Sequence, residues 1–418
     1  MRILIVSWEY PPVVVGGLGR HVHHLAVALA ARADHEVVVL SRRPTGTDAL
    51  THPTDDRLVD GVRVIAVAED PPAFDFGSDL MAWTLAMGHS MIRAGWRITD
   101  PTGVPWVPDV VHAHDWLVAH PAIALAEFYD VPLVATIHAT EAGRHSGWVS
   151  GVINKQVHSV EWWLAAEADA LIACSTSMHD EVSRLFGPDI AEIHTIHNGI
   201  DLSTWPFAQR RGGSQAPSLL YAGRLEYEKG IQDLIAALPR IRRDHPGTTL
   251  TIAGDGTQEQ WLRELTRKHR VARAVRFVGA VGHHQLVELM HGCDAIVLPS
   301  RYEPFGIVAL EAAATGAPLV TSTAGGLGEA VTDGITGLNF APGDVAGLTA
   351  AVCGVVGDPT AAARRARQAR ARLTEEFSWP LVAERTAGVY LAAKRRIRHP
   401  IGRPHIIERP LPDRDLAT

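Results

Sequence analysis

The chain has 418 residues, of which 46% are hydrophobic and 20% are charged, and its formal net charge is -7. This length favours two or three domains rather than one, and the negative charge argues against a nucleic-acid or membrane-surface partner. Three widely spaced cysteines form neither a metal pattern nor a disulfide framework, which favours a reducing cytoplasm, and no run approaches the ~20 apolar residues of a membrane span.

Short apolar runs that alternate with longer helical patterns dominate the chain. In the first half we predict strands at 2–7, 36–41, 62–68, 109–114, 133–138, 170–174 and 193–197, and in the second half at 218–223, 249–254, 275–279, 294–299, 318–322 and 337–340. Most of these runs are continuously apolar, which is typical of strands covered by helices on both faces. The alternation with helices therefore predicts an α/β fold with doubly wound, mainly parallel sheets.

The strand–helix series occurs twice, and the break between the two copies is rich in Gly, Pro and charge. We interpret this break, residues 205–217, as an interdomain linker. The sequence thus predicts an N-terminal Rossmann-like domain over 1–205, a C-terminal Rossmann-like domain over 206–377, and a final helix over 378–397 that crosses back to the first. Residues 398–418 contain four prolines and are predicted to form a loosely packed tail.

Two glycine pairs are candidates for binding an anion. Gly16 and Gly17 follow the first strand and precede a helix, where backbone amides can approach a phosphate with the helix N-terminus behind them. The spacing differs from the G-x-G-x-x-G dinucleotide fingerprint, because no suitable glycine follows Gly19, and a turn with positive φ is the alternative interpretation. Gly325 and Gly326, after the strand near 318–322, offer amides in the same way.

Arg224 and Lys229 lie five residues apart, between the first strand of the second half and the next helix. A guanidinium at the strand end and an ammonium at the helix start can converge on one diphosphate. Alternatively, Glu226 and Glu228 neutralise two solvated bases. Together with the glycine pairs, these cations predict a diphosphate-bearing ligand in a cleft between the two halves.

Glu303 and Glu311 flank a Pro-Phe-Gly turn between an apolar strand and a predicted helix. Ligands of open parallel sheets bind beyond the carboxyl ends of the strands. The two carboxylates can therefore reach opposite ends of one ligand; a surface loop acid and an ordinary helix acid are the alternative interpretation.

These motifs, in this order, resemble the retaining glycosyltransferases of family 4 with the GT-B fold, close to the glycogen-synthase group. The resemblance extends from Ile3 to about Arg396. Its motifs are Gly16-Gly17, His112-Ala113-His114-Asp115-Trp116, Thr136-Ile137-His138, Asn198-Gly199-Ile200-Asp201, Gly223-Arg224, Lys229-Gly230, Glu303 with Glu311, and Gly325-Gly326. Segments 7–12, 143–147 and 221–229 are most similar to the actinobacterial α-(1→4)-glucosyltransferases of methylglucose lipopolysaccharide and glycogen-type glucan synthesis.

The resemblance implies roles for the positions in the second half. Arg224 and Lys229 would bind the donor diphosphate and stabilise charge on the leaving group, and Glu311 would bind the ribose hydroxyls. Glu303 would lie near the donor sugar. The backbone around Phe305 and Gly306 and the glycine pair at 325–326 would complete the donor site.

In the first half, the resemblance implies that His138 lies close to the anomeric carbon and the 6-hydroxyl of the donor sugar. Asp115 would lie on the acceptor side of the cleft, and the amides of Gly16 and Gly17 would contact the diphosphate. Glycogen synthases carry a Lys two residues before this glycine pair, where the present chain has Val14. The charge that this Lys adds to donor binding is therefore missing.

The implied reaction moves a glucosyl unit from UDP-glucose or ADP-glucose to a glucan or methylglucose-type acceptor. We predict neither a metal nor another cofactor, because the sequence has no Asp-x-Asp motif before its predicted tail and no convincingly spaced metal set; His112 and His114 are expected to be structural. Candidates for stacking on acceptor sugars, each alternatively a core residue, are Trp83, Trp116, Trp148, Trp162 and Trp163.

Alternative functions stay open at this point. A maltose-1-phosphate synthase would need a basic cluster for glucose-1-phosphate, which Arg20, Arg144 and His145 would supply. A non-hydrolysing sugar-nucleotide epimerase would use the same two-domain fold. A glucan-binding protein with a decayed site is disfavoured by the intact charged motifs.

Overall fold

The computed structural model describes residues 1–44, 54–68, 73–145, 147–187, 190–208 and 216–397, except for the side chains of residues 396 and 397. Two sheets organise these residues. The first contains β1 (Arg2–Ser7), β2 (Glu36–Arg42), β3 (Asp55–Val59), β4 (Val62–Val67), β5 (Val110–His114), β6 (Leu133–Ile137), β7 (Ala170–Ala173) and β8 (Ile193–Thr195). The second contains β9 (Ser218–Ala222), β10 (Thr249–Ala253), β11 (Val275–Gly279), β12 (Ala295–Leu298), β13 (Leu319–Ser322) and β14 (Leu338–Phe340).

Helices connect the strands in both sheets. In the first half they are α1 (Gly17–Ala30), α2 (Leu80–Gly95), α3 (Ala119–Tyr129), α4 (Glu141–Arg144), α5 (Val152–Glu167) and α6 (Thr176–Phe186). In the second half they are α7 (Ile231–Asp244), α8 (Glu259–Lys268), α9 (His283–Gly292), α10 (Ile307–Thr315), α11 (Leu327–Ala330), α12 (Val345–Gly357) and α13 (Pro359–Glu376). The last helix is α14 (Trp379–Ile397).

The strand orders are those of two doubly wound sheets. The first sheet runs β3-β4-β2-β1-β5-β6-β7-β8 and the second β11-β10-β9-β12-β13-β14. All pairs are parallel except β3 on β4. The predicted α/β fold is confirmed, and each predicted strand is present with ends within two residues of the prediction.

The strand that the sequence analysis missed is β3, an edge strand with a polar sequence. It pairs antiparallel with β4 through a two-residue turn, in which Asp60 and Gly61 both have positive φ, 52° and 80°. Asp-Gly between two β-rich segments is a strong hairpin signal. The signal was therefore present in the sequence, and the polarity of the strand obscured it.

Burial of β1 explains why its sequence is continuously apolar. Leu4 and Val6 pack into one hydrophobic cluster, whereas Ile3 and Ile5 pack into another, and all four are fully buried. Successive side chains of a strand point to opposite faces. Helices therefore cover both faces of this sheet, which leaves its strand ends as the accessible edges.

The final helix α14 packs on α1 of the first sheet, and the hydroxyl of its buried Tyr390 lies 2.7 Å from Nδ1 of His112 on β5. Just before α14 begins, the chain returns to the first half, where the amide of Ile200 donates to the carbonyl of Phe377 at 2.8 Å. Residues 209–215 of the predicted linker and the predicted tail lie outside the described residues. At the start of that linker, Trp205 is buried, with its ring centroid 4.4 Å from that of His283. The domain bounds themselves stay a prediction.

No single helix in the described part of the chain is long and apolar enough to cross a membrane. Helices α12 and α13 pass that test only when taken together, and they meet at a bend of 100°.

Candidate functional site

The carboxyl ends of the two sheets face each other. We call each sheet with its helices a lobe, counting α14 with the first lobe, and we call the gap between α1 and α10 the cleft. A Cβ atom added to Gly17 at the start of α1 would lie 3.2 Å from Cδ1 of Ile307 at the start of α10. The two helix N-termini thus approach each other closely, which is where parallel sheets bind ligands.

Lys229 and Glu303 form the central ion pair of the second lobe. Nζ of Lys229 lies 2.9 Å from Oε2 of Glu303, and both side chains are less than one-fifth exposed. Ser300 donates to the same oxygen at 3.2 Å. Gly230 places this lysine, because it has φ of +69° and a Cβ there would lie 1.8 Å from the carbonyl oxygen of Pro299. Only glycine allows such an approach at positive φ.

Arg224, the other predicted diphosphate ligand, lies at the rim of the site. Its side chain is 55% exposed and lies 3.3 Å from Oε1 of Glu228. The backbone of Arg224 is held in place, because the hydroxyl of Tyr221 donates to the Arg224 carbonyl at 2.7 Å. Glu226 does not neutralise either base, because it accepts from the amide and hydroxyl of Thr257. Each predicted cation therefore has its own carboxylate partner, Glu228 or Glu303.

Glu311 is a buried carboxylate on α10 that contacts Arg20 of α1 across the cleft. Burial raises the pKa of Glu311, and the Arg20 guanidinium opposes this shift. Its Oε2 atom is buried and has no hydrogen-bond partner in the described residues. Both residues line a cavity of about 180 Å³ between the lobes, together with His283 and Trp379. A free buried acceptor beside a cavity is suited to a ligand hydroxyl.

The turn from Glu303 to Gly306 is braced by the second glycine pair. The amide of Gly326 donates to the carbonyl of Glu303 at 3.0 Å. Gly325 has φ of +51°, and a Cβ there would lie 2.2 Å from the same carbonyl oxygen. The Gly326 amide is thus engaged in positioning Glu303. Phe305 is buried beneath the turn, and Gly306 precedes the first residue of α10.

The first glycine pair has an unforeseen partner, Glu9. Oε2 of this buried carboxylate accepts from the amides of Val15 and Gly16 at 2.7 and 3.0 Å. The amide of Gly17 has no acceptor in the described residues and begins α1. The structure therefore leaves Gly17, rather than Gly16, with the amide that is available to an anion at this helix N-terminus.

His138 and Asp115 form the first-lobe side of the site. The amide of His138 donates to Oδ1 of Asp115 at 2.7 Å. Burial raises the pKa of Asp115 to about 6, although the charge of Arg144 and hydrogen bonds from the backbone oppose the shift. Burial lowers the pKa of His138 to about 3, and Arg144 adds to that effect. His138 is therefore neutral at physiological pH.

A group of histidines surrounds His138. Its Nε2 atom lies 3.0 Å from Nδ1 of His114, and one ring nitrogen each of His21, His114 and His138 lie within 4.8 Å of one another. These are the described residues with the geometry to hold a metal ion, and the prediction that no metal is required stays a prediction. His112, by contrast, uses both ring nitrogens, on Tyr390 and Thr136, as expected for a structural residue.

Several contacts between the lobes escaped the sequence analysis. Glu329 of the second lobe accepts from the amides of Thr176 and Ser177, each at 3.0 Å, at the start of α6. Ser175 donates to the carbonyl of Pro304 at 2.7 Å. The hydroxyl of Tyr302 donates to Glu181 at 3.0 Å. Their positions after strand ends were a signal, but their partners are more than 100 residues away in the chain.

The comparisons with known proteins agree with this architecture. Residues 15–204 match the family described as Glycosyltransferase Family 4, and residues 207–372 match the family described as Glycosyl transferases group 1. A protein named glycogen synthase from Mycobacterium tuberculosis is 67% identical over 415 residues, which cover 99% of this chain and all of that protein. A protein named alpha-maltose-1-phosphate synthase from the same species is 31% identical over 93% of this chain and 99% of that protein.

Among solved structures, a sucrose-phosphate synthase from Thermosynechococcus elongatus superposes with a TM-score of 0.79, at 23% identity, over 94% of this chain and 99% of that chain. This likeness bears on the fold alone. Since the two family matches together span most of the chain and the 67% relative spans nearly all of it, the chain belongs to the family 4 glycosyltransferases, with the two facing α/β lobes of the GT-B fold.

Proposed function

We propose that this protein is a retaining α-(1→4)-glucosyltransferase that moves glucose from a nucleotide diphosphate glucose to an α-glucan or methylglucose-type acceptor. The observation that carries the proposal is the 67% identity, over the full chain, to a protein named glycogen synthase. The charged groups at the cleft suit such a reaction.

The donor lies across the cleft in this proposal. The buried Oε2 of Glu311 accepts a ribose hydroxyl, which gives that orphaned oxygen a partner. The diphosphate lies between Lys229, Arg224 and the Gly17 amide at the N-terminus of α1. Glu303, held by Lys229 and Ser300, faces the donor sugar together with the backbone of Phe305 and Gly306.

The reaction breaks the bond between the anomeric carbon and the diphosphate oxygen. The leaving diphosphate gains negative charge, and preorganised cations stabilise that charge best in a partly dry cleft. The acceptor hydroxyl forms the new bond to the same face of the anomeric carbon, and its proton passes to the leaving phosphate oxygen. Lys229 and Arg224 supply the charge that a metal ion supplies in other transferases, so the reaction proceeds without one.

The arrangement of cations on the acceptor side of the cleft favours a glucan over glucose-1-phosphate as the acceptor of the transferred glucose. Of the three residues that the sequence offered as a phosphate cluster, Arg20 contacts Glu311 and His145 lies 3.1 Å from Glu141. Arg144 is the remaining cation, and it lies near Asp115. A phosphate dianion beside Asp115 would face a carboxylate with a single arginine to offset it, whereas sugar hydroxyls suit an acid and an arginine equally well.

An acceptor panel tests the proposal. Purified protein is incubated with UDP-glucose or ADP-glucose and with maltooligosaccharides, methylated glucosides, glucosylglycerate or glucose-1-phosphate, and nucleotide release and product anomer are followed. Release of UDP or ADP with α-linked chain extension, unchanged by EDTA, is expected. Transfer to glucose-1-phosphate alone, or sugar interconversion without any acceptor, would overturn the proposal.

A further inference from the structure

The structure shows which of the five candidate tryptophans are buried and which are exposed, a distinction that the sequence could not make. Trp83 and Trp116 are buried in the core and Trp163 packs against it, whereas Trp162 and Trp148 are exposed, Trp148 by 76%. A contiguous exposed apolar patch marks an interaction site more often than a singly exposed residue does. Val152, which is 74% exposed, and Ile153 lie shortly after it in the chain. We call Trp148, Val152 and Ile153 the apolar platform.

The apolar platform adjoins the cleft. Helix α4 begins three residues after His138, and its Gly143 lies so close to the second lobe that a Cβ there would be 2.3 Å from the hydroxyl of Tyr302. Tyr302 precedes Glu303 in the chain. The amide of Trp148 donates to the carbonyl of His145, the residue after α4, at 3.0 Å. Trp148 follows Gly143 by five residues in the chain, within reach of the rim of the cleft on its acceptor side.

Arg144 is the last residue of α4 and precedes Trp148 by four residues in the chain. Its guanidinium has no hydrogen bond or ion pair within the described residues, yet its charge lowers the pKa of Asp115, Glu161 and His138. It is thus a cation near Asp115 whose donors are available to a ligand. An aromatic face with a guanidinium beside it suits a sugar ring, which offers C–H groups on one face and hydroxyls at its edge.

We propose that the apolar platform and Arg144 bind the acceptor glucan beyond the glucose that receives the new unit, with Trp148 stacking on a sugar ring. This inference rests on the proposed function and adds chain-length selectivity to it. The occupant is an α-glucan chain rather than a protein, because the platform flanks helix α4, which meets the second lobe at Tyr302 and which Asn154, next to Ile153, joins through a hydrogen bond to Glu141; a growing chain must leave the site on this side.

A second exposed aromatic pair offers a matched control. Trp96 and Phe128 are 48% and 58% exposed, and their ring centroids lie 6.1 Å apart. They follow or occupy the C-terminal ends of α2 and α3. Helices between parallel strands run antiparallel to them, so this pair lies at the amino edge of the sheet, opposite the cleft. Trp148 and Trp96 are both exposed enough for their substitution to leave the fold intact.

The experiment compares Trp148→Ala and Val152→Ser with Trp96→Ala. For each, kcat/KM is measured with maltoheptaose and with maltose as acceptor. We expect the ratio of the two values to fall about tenfold in Trp148→Ala and several-fold in Val152→Ser, and to stay at the wild-type value in Trp96→Ala. Equal ratios in all variants would overturn the platform while leaving the proposed function standing.

Binding provides a readout that does not depend on transfer. In native gels that contain glycogen, wild-type protein is expected to be retarded, Trp148→Ala to lose most of that retardation, and Trp96→Ala to keep it. If the wild type transferred no sugar, the proposed function would fail and this gel would still decide the platform. A change of oligomeric state in Trp148→Ala, with glucan retardation unchanged, would identify the platform as an interface between copies and overturn the inference.

Discussion

Arg20 on α1 contacts the buried carboxylate of Glu311 on α10, and this ion pair joins the two lobes across the cleft. The arginine side chain is partly exposed and the carboxylate is buried, so the arginine reaches inward and opposes the rise in the pKa of Glu311 that burial causes. One oxygen of that carboxylate has no partner among the residues that the structure describes. The ion pair therefore joins the two lobes, and its carboxylate also offers a hydrogen-bond acceptor to a hydroxyl of the sugar nucleotide.

The first prediction concerns this carboxylate. Glu311→Gln keeps the shape of the side chain and removes its charge, so the hydrogen bond to the ribose becomes a neutral one. Hydrogen bonds to charged groups contribute about 1.5–3 kcal/mol, and we expect the donor KM to rise by at least about tenfold. Initial rates at varied donor concentration measure it.

Two further variants control this experiment. Arg20→Ala breaks the ion pair but keeps the carboxylate, and it separates the contact between the lobes from ribose binding. Glu288→Gln changes a highly exposed acid on α9 and is expected to leave the donor KM unaltered. A donor KM that is the same in Glu311→Gln as in Glu288→Gln would contradict the role of Glu311.

The second prediction concerns Lys229 and Glu303. Lys229→Ala and Glu303→Ala are each expected to lower kcat by about 10²-fold or more, because preorganised charge at the leaving group or the donor sugar is lost. Since the two residues form one ion pair, the double variant is expected to lose less than the product of the two single losses. Steady-state kinetics of the three variants measure these effects.

The matched control for that pair is Arg240 and Asp244 on α7, which form an exposed ion pair at 2.8 Å. Exposed pairs contribute little to stability, and Arg240→Ala is expected to retain wild-type kcat. Near-normal rates in both Lys229→Ala and Glu303→Ala would refute the site.

The third prediction concerns pH. Asp115, whose pKa burial raises to about 6, is ionised above that pH and neutral below it. If its carboxylate binds the acceptor, kcat/KM for the acceptor falls as pH decreases through about 6. Arg144 holds this pKa down, so Arg144→Gln is expected to move the acidic limb to higher pH. Asp115→Asn should remove the limb.

The pKa values of the neighbouring groups allow the acidic limb to be assigned to Asp115. His138 has a pKa of about 3 and is neutral throughout the range, and Glu161, which interacts with Asp115, has a pKa raised to about 8. The pH profile of kcat/KM between pH 5 and 8 measures the limb. An acidic limb that Arg144→Gln leaves in place would argue against Asp115.

The fourth prediction concerns stability. Burial raises the pKa of Glu161 from 4.5 to about 8, and the amide of Glu141 donates to its Oε1 at 2.8 Å. Between these values the folded protein holds a proton that the unfolded chain releases. The group therefore stabilises the fold fully below pH 4.5, and that contribution is lost as pH rises toward 8, by at most about 1.4 kcal/mol per pH unit.

Glu161→Gln removes this dependence while it keeps an acceptor for the Glu141 amide. We expect the free energy of unfolding of the variant to exceed that of the wild type increasingly between pH 5 and 8. Urea titrations at several pH values measure the difference. A gap that stays constant over this range would show that Glu161 does not take up a proton on folding.

The sequence by itself determined most of the strands, because a run of consecutive apolar residues such as Ile3–Val6 in β1 is expected where both faces of a strand are buried. It also placed His138 directly after one strand, and Glu303 and Glu311 on either side of the turn that follows another, at the sheet edge where ligands of parallel sheets bind. These inferences depend only on patterns among residues that are neighbours in the sequence. Even the missed strand β3 had its local signal, in the Asp60-Gly61 turn.

Only the tertiary structure decided which charged groups meet. Arg20 contacts Glu311 from 291 residues away, Glu329 binds amides at the start of α6, and Glu9 folds back onto the Gly16 amide that the sequence had assigned to the donor. The same holds for the tryptophans, whose chemistry is identical whether they are buried like Trp83 or exposed like Trp148. Side-chain partners across a cleft depend on how two lobes approach, and no periodicity along the chain encodes that approach.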